Sequence, residues 1–334
     1  MPVKYWSRAG IMLTAWCDAA CACCYANCGP DKHLWMNNDQ ALEIWTGLTE
    51  ASPHGCRVHL TGGEVFGRFD DLLALCRAAH RAGLGPLEAV ETNGGWATDE
   101  GEICRRLAAL DEAGMGRLTI SADPYHQQFI PLERPRRLAR VAAEVLGAAR
   151  VRIRWQTWLE TGFDLAGLPA ARRSEILQRH AAGGTDRLTG RAADGLDGQM
   201  QLRPAAAFDD NPCNETLLRG RHVHVAPDGS VWPATCIGIV VGNALRRPVA
   251  AIWRDLAARE GEGGLVGALQ RRGPVGLMEL ALKEGFVDRP AGWASKCQLC
   301  FHLRRHLAAA AAAPEELGPA WIYGARLPET TEQK

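Results

Sequence analysis

The chain carries no net charge: 38 lysine and arginine residues balance 38 aspartate and glutamate residues over 334 positions. Without a basic excess there is no electrostatic case for a nucleic-acid partner. No apolar run approaches the roughly 18 residues that a membrane-crossing helix needs, so no membrane partner is expected. The opening Met1-Pro-Val-Lys-Tyr-Trp6 lacks the apolar stretch and cleavage site of a signal peptide. Internal repeats are missing too. What is plentiful is cysteine, with 12 in the chain. Without an export signal, that number points to a reducing compartment, the cytoplasm, where thiols serve metals or redox chemistry rather than cross-links. Hydrophobic content of 47% allows a full core, and the length suits one barrel-sized domain with an appendage.

Strand and helix patterns alternate through the first half. Strands are expected at Ile11–Trp16, Arg57–Thr61, Leu87–Thr92, Arg117–Asp123 and Val151–Trp158. Helices are expected over Asp39–Leu48, from Asp70 to near Gly83, Asp99–Ala113 and Glu133–Leu146. Such alternation argues for a parallel α/β sheet with its polar residues gathered at the strands' C-terminal ends. Residues 183–212 read as irregular. Beyond them, Pro227-Asp228-Gly229 between His222–Ala226 and Ser230–Trp232 signals a hairpin. Cys297–Ala313 reads as a helix stopped by Pro314, and the polar tail after Tyr323 as loosely ordered.

Chemistry concentrates in Cys17-Asp-Ala-Ala-Cys21-Ala-Cys-Cys24-Tyr25. Cys17, Cys21 and Cys24 can hold three irons of a 4Fe–4S cluster and leave the fourth iron open, whereas an electron carrier is normally closed by four cysteines. The alternatives are an inert turn or a zinc site, which would want a fourth ligand from Cys23 or Cys28. Thr61-Gly62-Gly63-Glu64, Thr92-Asn93-Gly94 and Ser121-Ala-Asp123 each end an expected strand. Taken singly, each could be a turn or a cap.

Together and in this order, the four stretches resemble the radical S-adenosylmethionine (radical SAM) enzymes. The resemblance covers the chain to about residue 160 and loosens afterwards. It implies a partial (β/α)6 TIM-like barrel with a small C-terminal iron–sulfur extension, although a sixth strand is not evident. In the family, Gly62-Gly63-Glu64 would meet the methionine ammonium of SAM, and Thr92, Asn93, Ser121 and Asp123 its ribose. Cleavage of SAM by one electron would give a 5′-deoxyadenosyl radical that takes hydrogen from a substrate. One departure is Cys23, where the family often has an aromatic residue near the adenine. Cys23 and Cys28 are read as non-ligands.

Cys213, Cys236, Cys297 and Cys300 form a second set, similar to the auxiliary-cluster extension called twitch, or SPASM in its longer form. The spacing from Cys213 to Cys236 is longer than expected for it. No cysteine follows Cys300, so a third cluster is not implied. The resemblance implies an auxiliary 4Fe–4S cluster here, and structural zinc is the alternative. The division expected is a core over residues 1–205 and an extension over 206–334.

Tyr125 and His126 follow the fourth strand and are candidate catalytic residues, with a loop histidine satisfied by backbone as the plainer reading. The charges over Arg134–Arg140 read as a solvated helix face, Cys56, Cys76 and Cys104 as buried filler, and Trp155 as a neighbour of the adenine. The substrate class implied is a small polar biosynthetic intermediate undergoing oxidation or rearrangement, with an electron donor such as flavodoxin or ferredoxin. A ribosomal peptide or protein side chain is the rival. A non-enzymatic iron–sulfur or zinc protein would explain the cysteines but not the strand-end residues.

Overall fold

The computed structural model describes residues 4–184, 187–258 and 262–324. The tail from 325 onward, expected to be loose, lies outside the described residues. Strand–helix alternation builds the first half: β1 (Arg8–Thr14), α1 (Asn38–Ala51), β2 (Arg57–Gly62), α2 (Phe69–Arg81), β3 (Leu87–Thr92), α3 (Glu100–Glu112), β4 (Leu118–Ser121), α4 (Glu133–Leu146), β5 (Val151–Arg154), α5 (Gln156–Thr161) and α6 (Ala170–Gly183). Local signals set the boundaries. Asn37 and Gln40 form a reciprocal capping box at the start of α1, and the Asp99 side chain caps α3. Gly83, at φ +62°, takes the left-handed conformation just beyond α2.

The rest of the chain supplies α7 (Ala192–Gly195), α8 (Asn214–Leu217), β6 (His222–Val225), β7 (Ser230–Pro233), β8 (Gly242–Asn243), α9 (Val249–Ala258), α10 (Gly264–Arg272), α11 (Met278–Lys283) and α12 (Lys296–Ala309). All eight strands join one sheet in the order β5-β4-β3-β2-β1-β6-β7-β8. The six from β5 to β6 run parallel, and β7 and β8 are antiparallel additions. The sixth parallel strand is thus the first arm of the hairpin, docked on the free side of β1. Its position bears out a partial barrel, reached without a sixth strand–helix repeat. No described helix is long and apolar enough to cross a membrane.

Alternation along the strands separates two faces. Ala9, Ile11, Val58, Leu60, Ile120 and Val223 pack under the helices in the main core. Residues one step along, among them Thr61, Glu91, Ser121 and Arg154, face a cavity at the C-terminal end of the sheet.

Three local expectations change. The fifth strand stops at Arg154, because Trp155 adopts φ +59° and opens α5. Cys104 is exposed, one step around α3 from the buried Ile103. The Arg134–Arg140 side chains are mostly latches: Arg134 donates to the Gly95 carbonyl, Arg136 to that of Leu159 and Arg137 to that of Ala97.

Candidate iron–sulfur and SAM site

The segment after β1 folds into a loop whose base is closed by backbone hydrogen bonds. Cys17 N–H donates to the Gly29 carbonyl at 3.2 Å, Gly29 N–H to Ala15 at 3.2 Å and Ala15 N–H to Leu34 at 3.0 Å. Cys17, Cys21 and Cys24 all line one cavity of about 290 Å³, together with Cys23 and Cys28.

Two glycines explain how the loop reaches the sheet. Gly63 N–H donates to Thr14 O at 2.8 Å, and Glu64 N–H to Trp16 O at 2.9 Å. A Cβ on Gly63 would lie 1.8 Å from Trp16 O, and one on Gly62 would lie 2.4 Å from Thr14 O. Gly62 also takes φ +135°, which side chains rarely adopt. Bare backbone at β2's end therefore lets the cysteine loop lie directly against it.

The other side of the loop is held by Arg191, which sequence reasoning missed. Its guanidinium donates to the carbonyls of Cys21 at 2.9 Å and Cys28 at 2.6 Å, and to Asn27 Oδ1 at 2.9 Å. Its own N–H reaches the Cys24 carbonyl at 3.1 Å. Neighbouring Gly190 leaves no room for a Cβ, which would sit 2.3 Å from Cys24 O. A single arginine in a Gly- and Ala-rich stretch has no periodic signal to flag it.

The thiols are electrostatically linked. A hydrogen bond from Cys28 lowers Cys24 to about 6, against burial, with Arg191 adding to the effect. Burial, then the charges of Glu64 and Asp18, push Cys17 up. Asn93 Nδ2 donates to Asp18 Oδ1 at 2.6 Å, tying β3's end to the loop.

Most expected SAM-contacting residues do line this cavity: Gly62, Gly63, Thr92, Asn93 and Ser121. Glu64 and Asp123 sit behind the wall instead. The Glu64 carboxylate is 2% exposed and accepts from Phe66 N–H at 3.1 Å, Asn93 N–H at 2.8 Å and the Thr92 hydroxyl at 3.0 Å. Burial, opposed by those bonds, raises it to about 7. Asp123, fully buried, accepts from the N–H groups of Tyr125 and His126 and from His126 Nδ1 at 2.7 Å. His126 faces the cavity. Burial disfavours its charge, but Asp123 and Cys21 outweigh this and hold its pKa well above the usual value. Tyr125 is buried edge-on against His180, away from the cavity wall. Opposite, Glu91 accepts from Arg154 at 2.7 Å and from Thr61 at 2.8 Å. Trp155 completes that side.

The second cysteine set also converges. Cys213, Cys236, Cys297 and Cys300 line a separate cavity of about 40 Å³, despite the long first spacing. Burial first, and then the charges of the other cysteines, push Cys213 up to about 11 and Cys236 to about 12. The buried Arg304 donates to Cys300 Sγ at 3.3 Å and to the Ile237 carbonyl at 2.6 Å. Arg187, Thr189 and Thr235 line both cavities and so form the wall between them.

No family model matches the chain, and no curated protein matches it. Among solved structures it is similar to BtrN in complex with AdoMet and 2-DOIA, at 15% identity over 79% of this chain and 93% of that one, with a TM-score of 0.47. It is also similar to SuiB of Streptococcus suis bound to S-adenosylmethionine, at 14% identity over 88% and 77%, with a TM-score of 0.47. A third is a polyhistidine-tagged anSMEcpe with bound AdoMet, at 12% identity over 96% and 100%, with a TM-score of 0.45. Likeness at this level carries nothing about activity here, which rests on the residues of the cavity.

Proposed function

We propose that the chain is a radical SAM enzyme that takes hydrogen from a small polar molecule, leading to oxidation or rearrangement. The observation that carries this reading is the convergence of Cys17, Cys21 and Cys24 on a cavity whose other walls are the strand-end residues Gly62, Gly63, Thr92, Asn93 and Ser121. The Cys17, Cys21 and Cys24 spacing beside these strand-end residues fits a 4Fe–4S cluster with one open iron, and we read Cys23 and Cys28 on the same wall as non-ligands. When bound there, the cluster supplies one-electron cleavage of SAM, and the adenosyl fragment supplies hydrogen abstraction.

The protein's own part is to bind, orient and exclude water. Arg191 and the Gly62-Gly63 backbone fix the loop that presents the thiolates. The Gly62-Gly63 stretch beside Cys17 is the proposed partner of SAM's ammonium, and Glu64 fixes that turn from behind. The Thr92, Asn93 and Ser121 side chains offer partners for a ribose. His126, oriented by Asp123, is the proposed proton carrier at the cavity, and Tyr125 supports it from the core.

We read residues 1–205 together with β6 as the core, and the rest of 206–334 as a twitch-like extension. Cys213, Cys236, Cys297 and Cys300 fit a second, fully ligated 4Fe–4S cluster, since four cysteines line one cavity beside a buried cation. The shared wall of Arg187, Thr189 and Thr235 would let an electron pass between the sites, with flavodoxin or ferredoxin as the outside donor. The charged Glu91–Arg154 pair in the cavity wall suits a polar molecule such as a sugar, aminocyclitol or nucleoside. The test is an anaerobic reaction with deuterated candidates of each class. Deuterium reaching 5′-deoxyadenosine from a small polar molecule supports the reading, and transfer only from a peptide overturns the substrate assignment.

A further inference from the structure

Three histidines meet inside the barrel below the cavity just described, and none of them lines it. His59 lies on β2, and His222 and His224 on β6, the two strands flanking β1. Across them on β1 stands Gly10, paired with both His59 and His224. A Cβ there would come within 2.7 Å of Nε2 of each of those rings. Glycine is thus required so that imidazoles from two strands can approach over the third.

The rings are close enough to share one ion. One nitrogen from each of the three can be chosen so that all lie within 4.8 Å of one another. His224 Nδ1 donates to the Ala234 carbonyl at 2.5 Å, which fixes the tautomer and leaves the Nε2 lone pair free. That is the outer bond metal-ligating histidines usually make. His59, 4% exposed, has a buried Nδ1 without a hydrogen-bond partner, and His222 has a buried Nε2 without one. Buried polar atoms are seldom left unpaired, and each such atom asks for an explanation.

Surrounding charges are already compensated. Arg8 and Arg154 disfavour a cation near the rings, while Glu88 and Glu91 favour one. Arg8 is bound to Glu88 at 2.5 Å, and Arg154 to Glu91 at 2.7 Å. Burial keeps all three imidazoles neutral, the form that binds metal.

We propose that His59, His222 and His224 bind one divalent transition-metal ion of zinc's class, with water completing the coordination. Three neutral imidazoles with a position left for water suit zinc best among common cations. His59 precedes Thr61 by two residues on one face, which places the ion about 7 Å below the cavity floor. It would link β2 to β6 across β1, fastening the hairpin to the barrel.

The test uses the full chain, reconstituted anaerobically with iron and sulfide and then equilibrated with zinc chloride. One zinc per chain should remain after desalting. Its X-ray absorption should show only nitrogen and oxygen neighbours near about 2.0–2.1 Å, which separates this site from zinc in the cysteine sets. His222→Ala and His224→Gln should weaken zinc binding by more than the roughly 10–100-fold that loss of an outer partner costs, with iron content unchanged. No retained zinc, a sulfur-containing shell, or variants that keep the same zinc would overturn the proposal. If a variant does not fold, the wild-type absorption spectrum decides alone. None of these readouts depends on SAM cleavage, so failure here leaves the proposed function standing, and the reverse also holds.

Discussion

Gly63→Ala is the smallest perturbation that strikes the junction of the cysteine loop and the sheet. The new methyl group would fall 1.8 Å from the Trp16 carbonyl oxygen and 3.1 Å from Cys17 Cβ. Ordinary contact lies near 3.5 Å, so the loop must retreat by roughly 1.5 Å. Retreat breaks the bonds from Gly63 N–H to Thr14 and from Glu64 N–H to Trp16, at about 1 kcal/mol each. Overpacking adds about 1–3 kcal/mol. The sum, about 3–5 kcal/mol, is a large part of a typical domain's stability of about 5–15 kcal/mol. Because the displaced segment carries Cys17, iron bound by the first cysteine set should fall sharply, as should SAM cleavage. Gly167→Ala is the control, since a Cβ there meets nothing within 4 Å. Anaerobic iron and sulfide counts with chemical denaturation provide the assay. A Gly63→Ala protein with wild-type iron and an unchanged denaturation midpoint would refute the packing argument.

Replacing Cys17, Cys21 and Cys24 together by Ala should lower iron from about eight to about four per chain and abolish SAM cleavage; full iron retention would move the cluster elsewhere. Cys297→Ala with Cys300→Ala should remove iron and sulfide together while the first cluster's signal persists, whereas loss of one zinc with undiminished iron would identify structural zinc. Glu64→Gln sets an amide against N–H donors in a buried pocket and should cost about 1–3 kcal/mol in denaturation, with a smaller effect on SAM affinity; the opposite pattern would put the carboxylate on the ligand. Arg154→Met leaves the half-buried Glu91 without its cation and should cost about 1–3 kcal/mol at neutral pH. Burial then raises the folded Glu91 pKa, so that loss should shrink as pH falls toward its unfolded value near about 4.3. A pH-independent loss would mean that Glu91 is solvated.

Sequence patterning located β3 and α4 to the residue, because β3 is a short apolar run and α4 has one apolar face at helical spacing. The edge on which a strand docks leaves no such trace. Nothing in His222–Val225 says that it pairs with β1 rather than extending past β5, so the sixth parallel strand was hidden inside a hairpin signal. The cysteines and strand-end glycines were legible because their chemistry and lack of side chains are local properties. Which way a polar side chain turns was not: Glu64 faces inward to the Asn93 N–H at β3's end, and Asp123 turns to the Tyr125 and His126 N–H groups of its own loop. Arg191 belongs to the same class, since its partners lie more than 160 residues earlier.

The most direct test of the radical SAM reading is single-turnover chemistry with the iron-reconstituted protein, SAM and dithionite under anaerobic conditions. The account predicts reductant-dependent release of methionine and 5′-deoxyadenosine from the wild-type chain, and none from the chain lacking Cys17, Cys21 and Cys24. An iron-replete wild-type protein that leaves SAM intact under these conditions would contradict it.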